Sequence, residues 1–341
     1  ASSASLLCEY WLFISRSGRS MKSFRCASLP RVRTAVLSRA WWLPFSELTA
    51  KLIKSNFTAR CLFSTVCSFA ALPSAKQKMH LWSLALLLKT AAAGLASELW
   101  RENSATAQQS LWDPFVLGLG AGTLKKETFA TYVAQDAAFL ASFADAYKRA
   151  ERKCDGEEAP PTQARCRGDL RELRDAVEEE LKLHSGYAKK WGADLGKDFR
   201  PLKATTAYTD FLEKISRDPT ASAAEVVAAM VPCMTLYAVL GKRLEKAGVE
   251  DDNPYREWVE TYASDEFWEA KEQAEGLLDV LTPHGCERCG ELYAEAMRLE
   301  HSFFAAQDVA PDWIRLTSSF RARLEASLSG ASLRAGAEME L

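Results

Sequence analysis

Tyr132-Val-Ala-Gln-Asp136-Ala-Ala-Phe139-Leu140-Ala-Ser-Phe143 decides how the chain folds. Its large residues Tyr132, Asp136, Phe139, Leu140 and Phe143 fall at i, i+4, i+7, i+8 and i+11, which is one face of an α-helix and fits no strand. The same period recurs in Leu170, Leu173, Val177, Leu181, His184 and Trp191, and in Tyr255, Trp258, Val259 and Tyr262. β-Branched runs are few and no Asn-Gly turn interrupts them, so from about Leu95 the sequence predicts an all-α fold, a bundle of about seven helices. Asp113 caps a helix with Pro114 at its first position, and Thr123 is placed to cap the next. Gly118-Leu-Gly120-Ala-Gly122 reads as a turn between helices; it follows no strand and lacks the Gly-Lys-Ser/Thr of a phosphate loop. Loops are expected from Cys154 to Pro161 and from Gly192 to Lys203, with the last body helix spanning about 290–307.

The 341 residues carry 43 basic and 45 acidic side chains, a net charge of −2 that speaks against binding nucleic acid through a basic surface. The charge is unevenly spread. Through Ser97 there are thirteen Lys or Arg and two acids, so that stretch carries +11 and the remainder −13. Residues 1–94, rich in Ser, Arg and Leu, have the composition of a largely disordered organelle transit region. Starting at Met21 would direct the protein to mitochondria or plastids, whereas starting at Met79 would leave it cytoplasmic. Leu81 to Ala96 is apolar but carries Lys89 at its centre, at a cost of about 3 kcal/mol in a bilayer, so it reads as the approach to the first helix and not as a membrane span. Beyond residue 94 lie five cysteines, Cys154, Cys166, Cys233, Cys286 and Cys289, an odd number in a body large enough to need no staples. Unpaired thiols in a reducing compartment are expected, with Cys286-Glu-Arg-Cys289 an exposed loop pair lacking the partners of a zinc site.

Chemistry is suggested first by Pro232-Cys233, set within the strongly helical run from Glu225 to Tyr237. An interior proline costs on the order of 3 kcal/mol, and the kink it makes re-aims Cys233, with Tyr237 one turn on. Asp136 and Glu300 are acids on apolar helix faces. Each alone fits a core thiol or a paired acid; together with Tyr208, Tyr237 and Tyr262 they offer a nucleophile, two carboxyls and hydrogen-bonding rings suited to an aromatic heterocycle. Glu180 and His184, at i and i+4, raise a di-iron site, but His184, His284 and His301 all lack Glu-x-x-His spacing.

Pro114-Phe-Val, Gly122-Thr-Leu-Lys-Lys-Glu-Thr-Phe129, Tyr132-Val-Ala-Gln-Asp136, Ala204-Thr-Thr-Ala-Tyr208, Val231-Pro-Cys233-Met-Thr-Leu-Tyr237, Pro254-Tyr-Arg-Glu-Trp258-Val-Glu-Thr-Tyr262 and Leu299-Glu300-His-Ser-Phe-Phe304 resemble, in that order, the TenA/thiaminase II family. The likeness covers residues 95–307 and is strongest to the plant branch, where this domain is joined to a haloacid-dehalogenase-type phosphatase. Residues 308–341, read as a tail, carry no Asp-x-Asp-x-Thr/Val motif of that enzyme. The resemblance implies a haem-oxygenase-like helical bundle, a homotetramer without metal or cofactor, and hydrolysis of an aminomethylpyrimidine or its formyl derivative to hydroxymethylpyrimidine, with weak thiaminase II activity. It implies Cys233 as nucleophile, Glu300 as proton shuttle, Asp136 on the amidine edge of the pyrimidine, and Tyr208, Tyr237 and Tyr262 orienting the ring. Many bacterial members carry a tyrosine where this chain has Phe139 in the substrate pocket, so another group must favour the thiolate; Tyr208 and the kinked backbone are the candidates. A non-catalytic pyrimidine-binding protein and a di-iron oxidase on the same fold are the competing readings.

Overall fold

The computed structural model describes residues 94–332 except 158, 194, 195, 197 and 198. The leader and the two start codons lie outside the described residues. Among those described, every regular element is a helix. In chain order they are α1 (Leu95–Glu102), α2 (Ser104–Leu111), α3 (Pro114–Ala121), α4 (Lys126–Lys153), α5 (Pro160–Trp191), α6 (Lys203–Arg217), α7 (Ala223–Ala247), α8 (Arg256–Ala263), α9 (Asp265–Leu281), α10 (Cys289–Ala305) and α11 (Trp313–Ser332). The expected seven become eleven because short helices such as α1 and α2 span too few turns to show a period.

The local signals act where the sequence places them, with two exceptions. Asp113 accepts from the Phe115 amide at 2.8 Å and opens α3. Gly122, at φ 69°, closes it. Ser222 and Glu225 form a reciprocal capping box at the start of α7, with bonds of 3.2 and 2.9 Å. Thr123, by contrast, caps nothing, since α4 begins at Lys126 behind Lys125. Gly118 and Gly120 lie inside α3 and not in a turn; a Cβ on Gly120 would stand 2.3 Å from the Phe320 ring of α11, so the missing side chain admits that neighbour.

α7 is the central element. It is long and apolar enough to cross a membrane, yet that segment is wholly buried, the pattern of a core helix enclosed by its neighbours. α4, α6, α8, α9, α10 and α11 all pack against it. At Gly241 a Cβ would stand 2.4 Å from the backbone carbon of Tyr262, so glycine there lets α8 lie directly on α7. Residues 308–341 contain α11, which packs on α3 and α7 with Phe320 and Leu324 fully buried.

The cysteines differ from expectation. Cys154 and Cys166 form a disulfide, as do Cys286 and Cys289, leaving Cys233 the free thiol among the described residues. The odd count of five is therefore two pairs and one thiol. Cys154 follows α4 and Cys166 lies in the second turn of α5, so the hairpin turn brings them to a Cα separation of 5.8 Å.

Candidate active site

α4, α6, α7, α8 and α10 each send polar or aromatic side chains into one buried cluster. On α7, Cys233 directly follows Pro232, whose ring removes an N–H from the helix ladder. Glu300, on α10, is 1% exposed. Its Oε1 accepts from the Tyr208 hydroxyl of α6 at 2.7 Å, and the Cys233 thiol also hydrogen bonds to this carboxyl. Asp136 of α4 is buried and near enough for its charge to act on Glu300, Cys233, Tyr237 and Tyr262.

Tyr237 and Tyr262 meet edge to face at 4.8 Å, and Tyr262 donates to Glu180 of α5 at 3.1 Å. Phe139 packs 4.6 Å from Tyr208 and 6.1 Å from Phe303, forming an apolar wall beside the Tyr208–Glu300 bond. All seven residues singled out for a site, Cys233, Glu300, Asp136, Tyr208, Tyr237, Tyr262 and Phe139, are thus brought to one region of the core. Of the two candidates for activating the thiol, Tyr208 bonds to Glu300, and it is Glu300 that meets Cys233.

Sequence reasoning passed over several members. Tyr132 receives the Trp258 indole N–H at 3.1 Å and donates to Tyr237 at 3.4 Å, tying α4, α7 and α8 together through one hydroxyl. Both stand on apolar helix faces and within the family-like segments, and the sequence assigns neither a role, though Tyr132 lies one turn before Asp136 and Trp258 one turn before Tyr262. Glu180, paired with His184 in the di-iron reading, accepts from Tyr262; the His184 side chain lies outside the described residues. Tyr147, three turns beyond Asp136 on α4, is 2% exposed, and its hydroxyl has no hydrogen-bond partner among the described residues. No group of three or more His, Cys, Asp or Glu able to hold a metal occurs among the described residues.

Burial dominates the electrostatics. Desolvation lifts Glu300 from the ordinary carboxylate range to about 7, opposed by its bonds from Tyr208 and Cys233 and aided by the charge of Asp136. The Cys233 thiol is pushed well up by burial and by the charges of Glu300 and Asp136. The resting pair is therefore a protonated thiol beside a carboxyl poised near neutrality, an arrangement that can pass one proton back and forth. Tyr208, Tyr237 and Tyr262 are likewise held well above their ordinary range, mainly by burial, and remain hydrogen-bond donors.

Residues 105–308 match the model of the TENA/THI-4/PQQC family. The chain is 34% identical over 243 residues to the bifunctional TH2 protein, mitochondrial, of Arabidopsis thaliana, a match covering 65% of this chain and 38% of that protein. It is 30% identical over 181 residues to an aminopyrimidine aminohydrolase of Halalkalibacterium halodurans, covering 51% of this chain and 76% of the relative. Among solved structures, a TenA family transcription regulator from Silicibacter sp. TM1040 superposes with a TM-score of 0.55 at 26% identity, covering 62% of this chain and 95% of that one.

Proposed function

Given that the chain belongs to the TENA/THI-4/PQQC family, we propose that it hydrolyses an aminomethylpyrimidine, 4-amino-5-aminomethyl-2-methylpyrimidine or its formyl derivative, to the hydroxymethylpyrimidine in thiamin salvage, with weak cleavage of thiamin itself. The observation that carries this reading is the buried Glu300 carboxyl, poised at about 7 and bonded to both Cys233 and Tyr208. Asp136 holds the amidine edge of the ring, while Tyr237, Tyr262 and Phe139 orient it by stacking and hydrogen bonds.

In the proposed sequence Cys233 Sγ adds to the pyrimidine as Glu300 takes the thiol proton. Addition ends the ring's aromaticity and expels the exocyclic amine, which leaves as ammonia with the proton from Glu300. Water then gives a proton to Glu300 and adds to the exocyclic carbon. The ring recovers by expelling Cys233, which regains its proton from the same carboxyl. Because burial disfavours a standing thiolate, the proton moves as the sulfur attacks, and no preformed ion pair is required. The test is ammonia release from aminomethylpyrimidine by the Cys233→Ser variant, with circular dichroism to verify the fold. Loss of turnover in a folded protein is expected, and retained turnover would exclude the covalent route.

The proposal extends to organisation. Residues 95–307 form the catalytic domain, 1–94 a leader for mitochondria or plastids, and 308–341 a C-terminal extension, with four copies assembling into a tetramer. The acid-poor composition of the leader supports the import reading, as does the mitochondrial designation of the Arabidopsis relative. Imaging a fluorescent fusion that starts at Met21 tests the address, and light scattering on the purified protein tests the assembly.

A further inference from the structure

We propose that Cys286 and Cys289 form a thiol–disulfide exchange site, acted on by a dithiol reductant that enters through the groove beside Cys286. The site lies apart from Cys233 and stands whether or not the hydrolase reading does. Four observations lead to it. The two sulfurs are bonded, but their surroundings differ: Cys286 is half-buried and Cys289 is fully buried. Cys286 lines a groove of about 610 Å³ together with His284, Pro283, Ser222, Glu225 and Thr162, so one sulfur of the pair adjoins space for an incoming group. Gly285, at φ 87°, supplies the left-handed turn that delivers Cys286 to the head of α10. Cys289 is the first residue of that 17-residue helix, where unpaired backbone N–H groups and the positive end of the helix dipole favour a thiolate.

The other disulfide makes the contrast. Cys154 and Cys166 are both fully buried and twelve residues apart, whereas Cys286 and Cys289 are three apart. Loop-closure stabilisation grows with the length of chain enclosed, so the shorter bridge contributes less as a staple. Its placement at a groove and a helix terminus suits exchange.

The step balances as follows. A thiolate of the reductant attacks Cys286 Sγ and forms a mixed disulfide, and the S–S bond to Cys289 breaks with Cys289 leaving as a thiolate. On protonation that thiol finds an acceptor in the Ala224 carbonyl, 3.8 Å from its sulfur. The second thiol of the reductant then attacks the mixed disulfide and releases Cys286. The protein disulfide gains two electrons and two protons, and the dithiol becomes a disulfide.

The experiment uses the full chain in its folded state. Dithiothreitol is added, free thiols are trapped with N-ethylmaleimide at intervals, and labelled peptides are mapped by mass spectrometry. Cys286 and Cys289 should label at least tenfold faster than Cys154 and Cys166, which should require guanidinium. If the pair labels without reductant, oxidised dithiothreitol or diamide should protect it, and failure to protect would overturn the proposal. In a second arm, Cys289→Ser should collect a glutathione adduct on Cys286 from oxidised glutathione, whereas Cys286→Ser should collect none on Cys289. Parallel reduction of both disulfides, resistance of Cys286–Cys289 in the folded protein, or equal adducts on the two variants would each overturn it.

Discussion

Two polar clusters lie on opposite sides of α7, and they handle buried charge in different ways. Toward α9, Thr235 donates to Glu275 at 2.8 Å, and the same carboxylate meets the buried Lys271 ammonium at 2.8 Å, which in turn sits 4.6 Å over the Trp268 ring. Toward α4, α6 and α10, two residues earlier on α7, Cys233 faces Glu300, whose neighbours are a phenol, a thiol and another acid. One cluster answers an acid with a cation and so secures the packing of α9 on α7. In the other, the energetic penalty of an ionised Glu300 is left in place, which keeps the carboxyl protonated up to about pH 7 and ready to exchange its proton. Identical residue types thus become structural or reactive according to whether a lysine is within reach.

The sharpest way to break this comparison is to remove the sulfur. Cys233→Ser should lower ammonia release by on the order of 10³-fold or more while melting close to the parent temperature. Glu300→Gln should lower turnover by about 10²- to 10⁴-fold and move stability in the opposite direction at alkaline pH. The sign follows from the proton balance. An unfolded Glu300 releases its proton near 4.5 and the folded one near 7, so the folded state holds the extra proton between these values and stability falls as pH rises through that window. The loss attributable to this residue is about 3 kcal/mol, and denaturant melts at pH 5 and pH 8 should show it in the parent and not in the glutamine variant.

Lys271→Met tests the other cluster. It leaves the partly buried Glu275 without its cation and should cost about 2 kcal/mol in denaturant unfolding, with kcat changed far less than by Glu300→Gln. A reversal of that ranking would show that the two sides of α7 are not separable. The smallest expected effect is at Tyr147, whose buried hydroxyl has no hydrogen-bond partner among the described residues. Tyr147→Phe should stabilise the protein by about 1 kcal/mol, read as a rise in Tm, because it removes an unmet donor from the core.

Part of the candidate site was legible because three of its residues stand in or beside a broken local rule, while Tyr208, Tyr237 and Tyr262 break none and take their roles from the family resemblance. Pro232 stands inside a helix, while Asp136 and Glu300 stand on apolar faces, and such conflicts are visible in one dimension. The fold class was legible for the complementary reason, that α4, α5 and α7 are long enough for their period to show. What escaped depends on where elements meet. Cys154 and Cys166 pair because a hairpin turn stacks the end of α4 on the start of α5, which spacing alone does not state. Gly120 resembles turn chemistry until Phe320, two hundred residues on, is found lying across it. Tyr132 and Trp258 are ordinary core aromatics in sequence, and their shared hydrogen bond exists because Gly241 lets α8 settle onto α7.

The contact between Gly120 and Phe320 also bears on how the protein can be handled. The family likeness ends at 308, yet the apolar surface of α3 is covered by a helix that begins at Trp313. A truncation designed on sequence homology would strip away α11 with its buried Phe320 and Leu324, and bare to solvent the faces of α3 and α7 on which it packs. Poor solubility and inclusion-body formation would follow during expression, in a polypeptide whose candidate-site side chains were all still encoded.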